Sequence, residues 1–149
     1  MFSKILYPTD FSDVSKIAIN YLIQLKDAGT KEVVILHVVD KRNLHIPNVY
    51  AIMDLSLLGE KQAISAKKKA NKMAEKLSDA GIKTIIRIEK GIPFKEILRV
   101  EKEEEISLIV IGSHGTSNVK EMLLGSVSEK VARKAQKPVL VVKRQHENI

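Results

Sequence analysis

The chain of 149 residues has no cysteine and no tryptophan, and only 4% of its residues are aromatic. Without thiols it cannot build a disulfide framework, a zinc–thiolate centre or a cysteine nucleophile. The shortage of aromatics leaves little material for a base-stacking platform. The formal net charge of +7 therefore does not by itself point to nucleic acid. Its lysines are also scattered, as in Lys67-Lys-Lys69, Lys72 and Lys76 with Glu75 and Asp79 among them, which reads as a solvated helix face. The acidic stretch Glu101-Lys-Glu-Glu-Glu105 is read the same way. No apolar run approaches the roughly 18 residues that a membrane span needs. Met1-Phe2-Ser3-Lys4 leads straight into a strand-like run rather than a charged-then-apolar leader. The expectation is a soluble cytoplasmic protein with no membrane partner. Two phosphate-binding patterns are missing as well. There is no G-x-x-x-x-G-K-[ST], so no P-loop lysine, and no G-x-G-x-x-G after the first strand.

What is present is an alternation of strand and helix. Lys4-Ile-Leu-Tyr7 reads as a short buried strand ending at Pro8-Thr9-Asp10, after which Asp10 or Ser12 can cap a helix. Val14, Ile17, Ala18, Tyr21, Leu22 and Leu25 recur at helical spacing up to Gly29, a natural stop. Val33 to Val39 is continuous and β-branched, as expected of a strand covered on both faces. From Asp40 to about Lys61 the period fails, and an irregular excursion or lid is expected, too apolar for a plain linker. A helical pattern resumes from Ala63 to Gly81, and Lys83 to Lys90 reads as a third strand at an edge. Pro93 opens a third helix, Ile106 to Ile111 forms a fourth strand, Ser126 to Gln136 a fourth helix and Pro138 to Lys143 a fifth strand. Residues 144–149 read as a tail. The whole, 1–149, is expected to be one domain with a parallel sheet and helices on both faces.

The chemistry concentrates in Gly112-Ser-His-Gly115, nine residues, then Gly125-Ser126. Glycines leave a buried strand, and a second glycine opens a helix whose first residue is a serine. A helix N-terminus offers unpaired N–H groups and partial positive charge to an anion. Glycine lets backbone approach a ligand with no Cβ in the way. Three glycines at this spacing with Ser126 favour phosphate contact over simple helix punctuation. Asp10 has two readings of equal weight: a helix cap, or a partner for a ribose hydroxyl or a phosphate-bridging metal. His114 has no acid or serine placed to complete a triad, and His37, inside a β-branched strand, reads as a packed core histidine. In open parallel sheets ligands sit where the strand order reverses. If the first and fourth strands are neighbours, Asp10 and the glycine loop share one crevice.

These residues resemble the universal stress proteins. The resemblance is carried by Pro8-Thr9-Asp10-Phe-Ser12, Leu36-His37-Val38, the spaced glycines and Lys137-Pro-Val-Leu-Val-Val-Lys143, and it covers the whole chain. The glycine signature is similar to that of the family's ATP-binding branch. The resemblance implies a Rossmann-like adenine nucleotide-binding α/β fold with strand order 3-2-1-4-5. It implies that Val38 reads the adenine through its backbone, that Pro8, Thr9 and Asp10 face the adenosine, and that Gly112, Gly115, Gly125, Ser126 and Val127 hold ribose and phosphates. An Mg or Mn ion would ride on the phosphates rather than on protein ligands. It further implies a homodimer through Pro138 to Val142 and a role as an ATP-dependent switch in stress response, with little or no hydrolysis. A slow metal-dependent ATPase and a nucleotide-free interaction module, with an unidentified protein partner for the 40–61 segment, remain the alternatives.

Overall fold

The computed structural model describes residues 1–44, 51–113 and 124–144. Five strands form one parallel sheet: β1 (Lys4–Pro8), β2 (Glu32–Asp40), β3 (Lys83–Gly91), β4 (Leu108–Gly112) and β5 (Val139–Val142). Their order is β3-β2-β1-β4-β5, so β1 and β4 are neighbours and β3 and β5 are edges. Four helices connect them: α1 (Asp13–Gln24), α2 (Ala51–Asp79), α3 (Pro93–Glu103) and α4 (Ser126–Lys134). A short 3₁₀ turn, Leu25–Ala28, follows α1 and ends at Gly29, whose φ of 102° is the left-handed conformation that glycine adopts at least cost.

The period-2 alternation of the strands sorts their side chains into two cores. Ile5, Tyr7, Val33, Ile35, Leu108 and Val110 face α1 and α2, where they meet Val14, Ala18, Leu22, Ala70 and Leu77. Leu6, Val34, Leu36, Ile109 and Ile111 face the other way, onto Ile97, Val100 and Val131 of α3 and α4. The register places Leu6 beside both Val34 and Ile109, so each layer is continuous across three strands. At roughly 25 cal/mol per Å² of apolar surface, burying these branched side chains on both faces supplies the main drive for this sheet.

Several expectations need correction. The segment 40–61 is not irregular throughout. β2 runs to Asp40, a 3₁₀ turn covers Lys41–Leu44, and α2 begins at Ala51, well before Ala63. The period was hidden because the buried face of α2 is made of small residues, Gly59, Ala66 and Ala70, ahead of Met73 and Leu77. Leu57 and Ile64, 56% and 60% exposed, lie on the solvent side, where a binary pattern expects polar groups. Residues 45–50 of the segment and the tail from 145 lie outside the described residues. Smaller shifts occur at β4, which starts at Leu108, and at α4, which ends at Lys134. Tyr21, assigned to the apolar face of α1, is exposed.

The acidic stretch 101–105 is a solvated face only in part: Lys102, Glu103 and Glu105 are exposed. Glu101 is buried, and its Oε1 accepts the N–H groups of Gln136 and Lys137 at 3.0 and 2.8 Å. It thereby ties α3 to the link between α4 and β5. Glu104 receives Lys4 at 3.0 Å and Arg87 at 3.1 Å, and Glu103 receives Arg87 at 2.9 Å and Arg99 at 2.7 Å. Arg87 and Arg99 also share Glu89, so the charges of β1, β3 and α3 form one connected network. A network whose members are only partly exposed is worth more than isolated surface pairs.

The hydrogen bond from Lys4 holds the Glu104 carboxyl below its ordinary range. A depressed carboxylate contributes stability that is full at neutral pH and is lost as the pH falls through the folded-state value. Denaturation midpoints of the wild type and Glu104→Gln should therefore differ at pH 7 and converge on acidification toward pH 3. A difference that stays constant over that range would contradict the assignment.

Candidate functional site

The strand-order reversal between β1 and β4 opens a cleft of about 460 Å³ beyond the carboxyl ends of the strands. Its walls come from the ends of β1, β2 and β4, the N-terminal parts of α3 and α4, Ser15 of α1 and Gln62 of α2. The structure brings together Pro8, Thr9, Asp10, Val38, Gly112, Gly125, Ser126 and Val127, eight of the nine residues that the sequence nominated. Gly115, like His114, lies outside the described residues.

The β1–α1 turn is held by its own side chains. The Thr9 N–H donates to Leu36 O at 2.9 Å, continuing the β1–β2 ladder one residue past the strand. Thr9 Oγ1 accepts the Phe11 N–H at 3.0 Å. This bond supports a costly conformation, because Phe11 has φ of 63°, in the left-handed region that bulky residues avoid. Asp10 Oδ1 accepts the Ser12 N–H at 3.0 Å and the Ser15 hydroxyl at 3.3 Å. Ser12 is the N-cap of α1 but makes no side-chain cap bond. Asp10 thus orders the entry to α1 while its carboxylate lines the cleft, so its two expected roles coexist geometrically. The phenol of Tyr7 donates to Ser15 O beneath them, and burial pushes its ionisation upward.

His37 is not a plain core histidine. It is half-buried, lines the cleft, and stacks on Phe11 with ring centroids 4.9 Å apart. Its Nδ1 lies 2.8 Å from Thr9 O. A carbonyl only accepts, so the Nδ1 carries the proton and donates. Lys69 of α2 sits over the other part of this cluster, 5.6 Å from the Phe11 ring centroid. β2 and α2 together therefore clamp the turn that carries Asp10.

The opposite wall is the start of α4. Gly125 is its N-cap, and its N–H donates to Ser113 O at 2.7 Å. Ser113 N–H in turn reaches Val142 O at 2.8 Å, which fixes the helix start to β5. The N–H of Gly125 is thus committed, whereas those of Ser126, Val127 and Ser128 belong to the first turn and have no intrahelical partner. The Ser128 hydroxyl donates to Gly112 O, pinning the first turn of α4 onto the end of β4. On the flank, Lys130 and Lys134 of α4 lie 4.7 and 5.2 Å from the Phe94 ring centroid, locking α4 against α3.

Sequence reasoning missed four polar residues of the cleft, Ser15, Asp40, Gln62 and Ser128. Asp40 ends β2, and Arg42 donates to it from its backbone N–H at 2.9 Å and from Nε and Nη2 at 3.0 and 2.7 Å. The Arg42 side-chain bonds hold the Asp40 carboxyl below its ordinary range. The Asp-x-Arg spacing could have signalled this local fork. Gln62 falls between the 40–61 segment and the helical pattern expected from Ala63, so nothing placed it on a helix beside the sheet. Among the described residues that line the cleft there is no lysine or arginine, but there are two carboxylates. Among these residues an anion meets helix-terminal N–H groups and no lysine or arginine side chain.

Fold and cleft define the class: a doubly wound α/β domain with a ligand-sized crevice at its strand-order reversal. The universal stress protein family pattern matches residues 1–143. Universal stress protein MJ0577 of Methanocaldococcus jannaschii is 38% identical over 98% of this chain and 98% of its own length. The solved structure of MJ0577, a work on structure-based assignment of its biochemical function, superposes with a TM-score of 0.89 at 41% identity and covers 99% of both chains. More distant structures share the fold. One is a universal stress protein in complex with cAMP, with a TM-score of 0.68 at 23% identity, covering 95% of this chain and 97% of that one. Another is from Archaeoglobus fulgidus in complex with dAMP, with a TM-score of 0.67 at 21% identity, covering 96% of this chain and all of that one. The chain belongs to the universal stress protein family.

Removing the Thr9 hydroxyl tests how the turn is held. Thr9→Val keeps the shape but leaves the Phe11 N–H without its acceptor, at a cost of about 1–2 kcal/mol. Urea denaturation should show that loss. An unchanged midpoint would mean that Phe11 holds its left-handed backbone without help from Thr9.

Proposed function

We propose that this protein binds ATP in the cleft between β1 and β4 and acts as a nucleotide-dependent regulatory switch in stress response. The observation that carries the reading is the convergence of Asp10 with the free first turn of α4 across a strand-order reversal. A phosphate group suits the N–H groups of Ser126, Val127 and Ser128, with Gly112 and Gly125 keeping side chains out of its way. Asp10, an acceptor, suits a ribose hydroxyl. Val38, at the end of β2, offers backbone groups to a base, and Leu36, Val39 and Ile97 give it an apolar bed. Pro8, Thr9 and Val127 shape the walls between these ends, and Gly115 is assigned to the phosphates on family resemblance. That two universal stress proteins are described in complexes with cAMP and dAMP supports an adenine nucleotide as the ligand class.

The lack of lysine and arginine among the described lining residues favours a divalent cation as the partner of a polyphosphate. Among those residues there is also no group of three or more His, Asp or Glu side chains that could hold a metal. Mg or Mn would therefore be held by the phosphates rather than by protein ligands. When bound, the ion would offset phosphate charge. Asp10 and Ser126 would orient the nucleotide, and no step of hydrolysis is assigned to either.

We further assign the chain to a single domain over 1–149, working in the cytoplasm as a homodimer. The edge strand β5 exposes Leu140 and leaves one side of its backbone unpaired, which suits strand-to-strand pairing of two copies over Pro138 to Val142. No helix among the described residues is long and apolar enough to cross a membrane.

Calorimetric titration tests the reading. Wild-type protein should bind ATP, and more tightly with Mg or Mn than without. Gly125→Val places a branched side chain at the α4 N-cap and should weaken binding at least tenfold while the fold, followed by circular dichroism, persists. Absence of ATP binding by the wild type would remove the proposal, and equal affinity in the variant would remove the role given to the α4 terminus.

A further inference from the structure

Most polar side chains around the cleft are engaged within the protein, the exceptions among the described residues being Ser126 at the α4 end and Gln62 at the α2 rim. Thr9 Oγ1 accepts from Phe11, the Ser15 hydroxyl donates to Asp10, and the Ser128 hydroxyl donates to Gly112 O. His37 Nδ1 is committed to Thr9 O, and both oxygens of Asp40 take N–H groups of Arg42. Gln62 differs. It is exposed at the rim on α2, and among the described residues its amide has no hydrogen-bond partner. It lines the same cleft as Val38 and Asp40.

The two ends of the cleft are chemically unlike. At the end of β4, the first turn of α4 presents N–H groups, the place for phosphate. The end of β2 is two strand spacings away, about 10 Å across the sheet, and carries the apolar Leu36, Val38 and Val39. That separation matches the reach from a phosphate to a base. An apolar slot with one unengaged amide at its rim is suited to a flat heterocycle that has both a donor and an acceptor on one edge.

From this we infer that Gln62 is a specificity-determining residue, selecting adenine over guanine. The inference rests on the reading of the cleft as a nucleotide site. A primary amide carries one acceptor and two donors, which pair bidentately with the N6 amino group and N7 of adenine. Guanine presents two acceptors, O6 and N7, on the same edge. An amide satisfies only one of them, whereas a guanidinium satisfies both. The helix supports this role: α2 packs its small residues Ala66 and Ala70 against the sheet, so its backbone approaches the core closely. Gln62 stands one turn before them.

Competition between ATP and GTP isolates the base, because the sugar and phosphates are the same. The wild type should prefer ATP. Gln62→Ala should weaken ATP about tenfold while changing GTP less than about twofold, the loss of one good bidentate pair. Gln62→Arg should shift the ratio toward GTP. Both variants are at an exposed helical position, and thermal unfolding should confirm intact folds. An ATP-to-GTP ratio that is already unity in the wild type, or that survives in Gln62→Ala, overturns the role of Gln62 and leaves nucleotide binding standing. If the wild type binds neither nucleotide, the reading of the cleft fails, and the role of Gln62 fails with it.

Discussion

The pairing of β1 with β4 is the constraint on which the site depends. Only two register pairs join these strands, Ile5 with Leu108 and Leu6 with Ile109, yet they set where the sheet changes direction. β2 and β3 continue to one side and β5 to the other, so the connections out of β1 and β4 leave on opposite faces and part above the sheet. The gap between them is the cleft. Everything else at the site answers the question of how loops held apart by this reversal are kept in fixed positions.

The answer differs on the two sides. On the α1 side the turn is held by a chain of side-chain bonds, from Tyr7 to Ser15, Ser15 to Asp10, and His37 to Thr9, at the expense of a strained Phe11 backbone. On the α4 side it is held by backbone bonds, Gly125 to Ser113 and Ser113 to Val142. The first arrangement fixes a carboxylate and the second leaves helix N–H groups open. Farther from the cleft, Glu101 and the Arg87–Arg99 network brace α3 against β1, β3 and the α4–β5 link. Charged residues that look like surface decoration in the sequence thus hold the frame of a site to which they contribute no contact.

How much of this could be read in advance follows from the same physics. The strands and helices of the two cores were legible, because Val33–Val39 and Ile106–Ile111 are runs of branched apolar residues broken only by His37 and Ser107, and Val14, Ala18 and Leu22 keep a strict period. The glycine spacing and Asp10 were legible because glycines at a strand end and a helix start, with a carboxylate at the end of another strand, form a pattern visible in the sequence itself. The start of α2 was not, since Gly59, Ala66 and Ala70 are buried there while the large Leu57, Leu58 and Ile64 are exposed. Gln62 was lost with it. Asp40 and Glu101 were missed for a related reason: a single carboxylate gives no sequence sign of whether it will meet Arg42 or two backbone N–H groups across the fold.

The central claim is that the first turn of α4 receives a phosphate. Amide hydrogen exchange reads that turn directly. On addition of ATP with Mg, exchange at Ser126, Val127 and Ser128 should slow markedly, while Gly125, already bonded to Ser113, should change little. Unchanged exchange at those three amides under saturating ATP would contradict the account.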